Sequence, residues 1–217
     1  MKKFEQQQAD YWAGKKERRY PTHSAIRQFA IPKIKKIFEV TGLSSDARIL
    51  DVGCGNGYFT YYFAKTNPTV GIDNSETMLQ QNPNKDLVLG SAADLPFKDD
   101  SFDLVFCSNL LHHLEDPLNA LQEMKRVSRK FVAVSEPNSL NPGMFLFEII
   151  VEEERAALKF HLGHLKQLFG KSGLKLLYAK NMGSIVPNKT PAFLVPILKP
   201  LDVEHPLGFY SLCIGKK

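Results

Sequence analysis

The chain of 217 residues holds only three cysteines and one tryptophan. Cys54, Cys107 and Cys213 are scattered, so neither a disulfide framework nor a metal-binding spacing follows from them. Long apolar runs are also missing. No stretch of about 18 apolar residues exists to span a bilayer, and the opening Met1-Lys2-Lys3-Phe4-Glu5-Gln6-Gln7 lacks the apolar core of a secretory signal. A cytoplasmic protein is the expectation. There are no internal repeats, low-complexity tracts or interdomain linkers. The length suits one α/β domain with a sizeable core.

Charge is present in both signs but unevenly placed. The net charge is +5, yet residues 1–36 hold ten Lys or Arg against Glu5, Asp10 and Glu17, giving +7, which leaves −2 for the remainder. A nucleic-acid enzyme usually spreads basic residues along a groove; here they ride on a leader, which argues against a nucleic-acid partner. Tyr11 and Trp12 in that leader are candidate substrate contacts in a lid over a cleft. Domain boundaries are expected at 1–47 for a helical leader and 48–217 for the main domain.

The most informative stretch is Ile49-Leu50-Asp51-Val52-Gly53-Cys54-Gly55-Asn56-Gly57. An apolar run ends in a carboxylate, and glycines follow at every second position, as in a buried parallel strand that breaks into a backbone-open turn. The spacing is not the G-x-G-x-x-G of a dinucleotide fingerprint, and no lysine followed by Ser or Thr completes a phosphate loop. Twenty residues after Gly53, Thr69-Val70-Gly71-Ile72-Asp73 places a second acid at the end of a β-branched run, where a carboxylate can accept both hydroxyls of a ribose. Leu87-Val88-Leu89-Gly90 precedes the loop Ser91-Ala92-Ala93-Asp94-Leu95-Pro96, and Phe102-Asp103-Leu104-Val105-Phe106-Cys107-Ser108-Asn109 precedes Leu110-Leu111-His112-His113.

These four motifs, in this order, resemble the class I S-adenosylmethionine-dependent methyltransferases, specifically the small-molecule type similar to methyltransferase type 11. The resemblance implies the cofactor S-adenosyl-L-methionine and the product S-adenosyl-L-homocysteine. It assigns Asp51 and Gly53 to the methionine amine, Gly55 to the cofactor backbone, Asp73 with its neighbour Asn74 to the ribose, Ala93, Asp94 and Leu95 to adenine, and Ser108 and Asn109 to the sulfonium end. Methyl transfer needs an aligned acceptor and a route for its proton, so His112, expected to face the cleft while His113 packs in the scaffold, and Glu136 are the candidate catalytic residues. Asn109 stands where a metal-using subgroup has a carboxylate, so no metal is expected.

Alternation of strand and helix patterns predicts an α/β domain with a parallel sheet wrapped by helices, and the resemblance implies a Rossmann-like, seven-stranded, mostly parallel sheet with one antiparallel strand near its edge and helices on both faces. Helices are expected near 24–41, 57–65, 75–81, 117–128 and 162–172. An insert at about 136–165 is the expected source of substrate choice. Asn138 and His161 are its polar candidates, and Met144–Val151 is expected to roof the pocket. The late run 190–201 is too apolar for an idle loop and too rich in proline for a long helix, so it is expected to pack on the domain's own sheet or to shape a site for a lipid-like acceptor or a dimer contact. The expected partner is a small-molecule acceptor bound by a monomer or homodimer. Two other readings remain open: an RNA or protein methyltransferase that uses the basic leader, and a cofactor-binding subunit without activity of its own.

Overall fold

The computed structural model describes residues 18–217. Seven strands, β1 (Ile49–Val52), β2 (Thr69–Asp73), β3 (Leu87–Leu89), β4 (Phe102–Ser108), β5 (Ser128–Pro137), β6 (Lys175–Met182) and β7 (Tyr210–Lys216), form one sheet in the order β3-β2-β1-β4-β5-β7-β6. β7 is antiparallel to both of its neighbours and all other pairs are parallel. The helices are α1 (Ser24–Thr41), α2 (Thr60–Phe63), α3 (Glu76–Gln80), α4 (Pro117–Val127), α5 (Pro142–Ile150), α6 (Leu162–Lys171) and α7 (Val195–Leu198). Short 3-10 segments cover Leu111–His113, Glu152–Lys159, Ala192–Leu194 and Lys199–Leu201.

The period-two geometry of a strand divides the core into two layers. Leu50, Val52, Val105 and Cys107 face one side, with Leu121 and Met124 of α4 and Leu165 and Phe169 of α6. Ile49, Leu104 and Phe106 face the other, with Ile26, Phe29 and Ile37 of α1 and Phe63 of α2. Such two-sided burial explains why β4 reads as a continuous apolar run in sequence. From Ser24 onward the leader is α1, one of the two layers that bury the sheet.

Local signals set most helix ends. His23 caps α1 by accepting the Ala25 amide, and Gly42, at φ +62°, closes it through a hydrogen bond to the Phe38 carbonyl. Asp116 accepts the Asn119 amide ahead of Pro117, and Asn141 accepts the Met144 amide ahead of Pro142. The helix expected over 57–65 is confined to Thr60–Phe63. Gly53, Gly55 and Gly57 all adopt left-handed φ values, and the turn they make uses up the residues that would have formed its first turns. Among the described residues no helix is long and apolar enough to cross a membrane.

One charged side chain sits within the α1 layer. Lys33 is buried, donates to the Phe29 carbonyl at 2.9 Å and lies 3.8 Å from the Phe29 ring centre. Burial lowers its ammonium from the usual 10.5 to about 7, against the opposing pull of Asp202. Because the unfolded chain holds this proton more tightly than the folded one, the penalty is full below pH about 7 and fades as pH rises towards the ordinary lysine value. Lys33→Met is therefore expected to stabilise the protein by on the order of 1–3 kcal/mol at pH 6 and by much less at pH 10. Denaturant titrations at the two pH values check this, and a gain that grows with pH would contradict it.

Candidate functional site

A cavity of about 390 Å³ opens at the carboxyl ends of β1, β2 and β4, within the range of small-molecule sites. In a parallel sheet this is where loops diverge to either side and leave a crevice. Asp51, Gly53, Gly55, Asp73, Asn74, Ser108 and Asn109 all line it, so seven of the expected cofactor residues come together.

The turn after β1 forms one wall. Gly53 has φ +67°, and a Cβ there would meet Leu110 Cδ1 at 2.7 Å. The position therefore needs glycine for its conformation and for its space. Asp51 is buried and accepts the Thr60 hydroxyl at 2.6 Å. Burial raises its carboxyl to about 7, with the Thr60 hydrogen bonds pulling the other way. Asp73 ends β2 and accepts the amides of Gly55 and Ser75 at 2.8 and 2.9 Å. These bonds fix its orientation and leave lone pairs on both oxygens. Burial is the larger influence on Asp73 and raises its carboxyl, while the amides of Ser75 and Gly55 pull it down.

The turn after β4 forms the facing wall. Asn109 is held at φ +51°, which brings backbone and side chain over the cavity. Ser108 Oγ and Asn109 Oδ1 are buried without a hydrogen-bond partner. A buried polar atom left unsatisfied is costly, and two of them on one wall are what a polar ligand would satisfy.

The loop assigned to adenine is engaged elsewhere. The Leu95 amide donates to Glu123 Oε2 at 2.9 Å, the Ala93 carbonyl accepts from Asn119, and Asp94 is exposed. None of the three lines the cavity; Asn74, Ser75 and Met78 do. The reason lies on α4, whose Glu123, Asn119 and Arg126 gather this loop against the helix.

The two histidines have exchanged their expected places: His113 lines the cavity and His112 lies behind it, buried. His112 Nδ1 is 2.5 Å from Glu136 Oε2, and Nε2 is 3.4 Å from Glu154 Oε2. Burial opposes the charged ring, but the two carboxylates, Glu136 first, prevail and hold its pKa up at about 10. His113 moves the opposite way, well below the usual histidine value, through burial and the neighbouring His112. Glu136 also accepts the amides of Leu110 and Leu111, both at 2.9 Å. It is thus a scaffold carboxylate rather than one that faces a substrate.

Asn138 and His161 are structural as well. Asn138 donates to the Gly208 carbonyl at 2.8 Å and is buried, and His161 caps α6 by accepting the Gly163 amide. Neither lines the cavity. Tyr11 and Trp12 lie outside the described residues.

The insert does supply a roof: Met144, Phe147 and Val151 line the cavity, while Phe145, Leu146, Ile149 and Ile150 are exposed. The late run is divided in a similar way. Val195 is buried and Leu198 packs beside it against the α1 layer, whereas Phe193, Ile197 and Leu201 are exposed.

Several lining residues carried no local signal. Arg18, Tyr58, Glu154, Asn188 and Tyr210 arrive from five separate parts of the chain. Arg18 is mostly buried, and burial lowers its pKa against the attraction of Tyr58, Glu154 and Asp73. Glu136 had one available signal, a carboxylate inside an otherwise apolar strand end, which marks a residue with buried partners to satisfy.

Comparison with known proteins agrees with this geometry. Residues 50–131 match the methyltransferase-domain family. The demethylmenaquinone methyltransferase of Staphylococcus aureus is 38% identical over 104 residues, covering 43% of this chain and 43% of that protein. An uncharacterized methyltransferase of Schizosaccharomyces pombe is 38% identical over 100 residues, covering 38% of this chain and 36% of that protein. The chain thus matches less than half the length of these curated relatives. Among solved structures, an S-adenosylmethionine-dependent methyltransferase from Thermotoga maritima aligns with a TM-score of 0.62 at 19% identity, over 88% of this chain and 98% of that one. A second from Archaeoglobus fulgidus gives 0.63 at 18%, over 86% and 93%. These likenesses establish the shared fold. Residues 50–131 thus match the methyltransferase-domain family, and the sheet order is the fold shared with these solved methyltransferases.

Proposed function

We propose that the protein transfers the methyl group of S-adenosylmethionine to a small metabolite with an apolar body. The observation that carries this reading is a cavity in which the glycine turn, Asp73 and the unsatisfied Ser108 and Asn109 face an apolar roof from α5. When bound, the cofactor supplies an electrophilic methyl group on a sulfonium. Asp73 is then the acceptor for ribose hydroxyls. Asp51 and the open backbone at Gly53 and Gly55 receive the methionine end, and Ser108 and Asn109 line the approach to the reacting methyl. These assignments fit the donors and acceptors present on both walls.

The acceptor's share of the cavity is apolar where α5 contributes Met144, Phe147 and Val151, and polar where His113 and Glu154 enter. A ring or chain lying under α5 would present a nucleophilic atom to the polar end, in line with the methyl group. His112 and Glu136 act from behind as positioning residues. The relative from Staphylococcus aureus is a demethylmenaquinone methyltransferase, an apolar acceptor consistent with this division of the cavity.

Calorimetric titration is expected to show binding of S-adenosylhomocysteine, with Asp73→Ala losing on the order of 1.5–3 kcal/mol as a charged acceptor is removed. An intact protein that binds neither cofactor nor product would overturn the reading.

Phe147→Ala is expected to leave S-adenosylhomocysteine affinity within about twofold and to raise KM for an apolar acceptor on the order of tenfold, in line with loss of one large apolar contact. Steady-state rates at varied acceptor concentration test the assignment. An unchanged KM, or a loss confined to cofactor binding, would remove α5 from the acceptor site.

A further inference from the structure

We infer that the polar end of the cavity is a site for a divalent metal ion of the kind that prefers imidazole and carboxylate ligands, such as Zn²⁺. His112, His113 and Glu154 each offer a ligand atom, and these atoms all lie within 4.8 Å of one another. Two imidazoles and one carboxylate are a donor set used for Zn²⁺, and three protein ligands leave a coordination position open. His113 and Glu154 line the cavity, so that position faces the space available to an acceptor.

Two further observations point to a cation. The first is the support behind His112. Glu136 holds Nδ1 at 2.5 Å, which turns Nε2 towards Glu154, 3.4 Å away, without a hydrogen bond of good geometry. A carboxylate on one ring nitrogen that aims the other at a common point is the outer-shell arrangement found behind metal-bound histidines. The second is Glu148, on α5. It has no exposed surface, neither of its carboxylate oxygens has a hydrogen-bond partner, and it lies near enough to be affected by the charges of both His112 and Glu154. A buried carboxylate without a partner is strongly disfavoured, and a cation between His112 and Glu154 would supply the missing charge.

Metal uptake would take the place of the proton on His112 Nε2 and release it to solvent. The sequence pattern around Asn109 predicts no metal, but the ligands proposed here are the two residues after Leu111 together with Glu154, which the fold delivers from the insert. In the methyltransferase reading, on which this role rests, the open position would hold an oxygen of the acceptor near the transferred methyl.

The test is titration of the full chain with Zn²⁺ by calorimetry and with Co²⁺ by visible absorption, neither of which depends on methyl transfer. One equivalent is expected to bind, with ligand-field bands for Co²⁺. Glu154→Gln, at a side chain that reaches the cavity, is expected to weaken uptake at least tenfold while S-adenosylhomocysteine affinity is kept. Glu136→Gln is expected to weaken it about tenfold through the outer shell. Failure of the intact protein to take up either ion, or uptake that Glu154→Gln leaves unchanged, would overturn the site. Uptake without S-adenosylhomocysteine binding would leave the metal site standing and overturn the cofactor reading instead.

Discussion

The carboxylate of Glu136 is the constraint on which the active end of this molecule depends. It has no exposed surface, yet it gathers the amides of Leu110 and Leu111 and the ring of His112. An anion placed in such surroundings is tolerable only when its lone pairs are taken up. By taking them up with two successive amides, it forces the chain leaving β4 into a tight turn. That turn puts Asn109 at its left-handed φ, fixes Leu110 against Gly53 and brings His113 to the cavity wall. The wall formed after β4 and the wall formed after β1 are thus locked together through one carboxylate on β5.

Charge at this end of the sheet is arranged in opposition. Asp51 and Glu148 are held towards their neutral forms by burial, while His112 is held towards its charged form by two carboxylates. Groups displaced in opposite directions within one cluster are characteristic of sites that handle charge rather than of cores that only pack. Structural ion pairs perturb ionisation too, but here Asp51 lines a cavity whose walls also carry unsatisfied polar atoms.

Much of the fold was legible because its signals are local. The glycine turn after Asp51, the acid that ends β2, and the proline-led starts of α4 and α5 each follow from a handful of adjacent residues. The parallel sheet wrapped by helices followed from alternation, and its antiparallel member from the resemblance in the motifs. Orientation was harder. Adjacent residues on a 3-10 turn point in different directions, so which of His112 and His113 faces the cavity depends on Glu136, more than twenty positions away. The anchoring of the loop at 91–95 was hidden for the same reason: Glu123 and Arg126 of α4 claim its backbone, and nothing within the loop announces them. Asn138 and His161 are residue types that cap turns as readily as they bind substrates, and here both serve the scaffold.

The place of β7 has a consequence for how the molecule is made. It is the last strand in chain order but lies inside the sheet, between β5 and β6, and pairs with both along nearly its whole length. Until it emerges during synthesis, β5 presents an open edge and β6 has no neighbour, although the turns that line the cavity after β1, β2 and β4 have already been translated. A nascent chain at that stage holds a formed glycine turn on a half-sheet whose exposed backbone invites pairing with other chains. Joining the two halves is left to the final strand, so the closing step of folding is long in range and slow in kind.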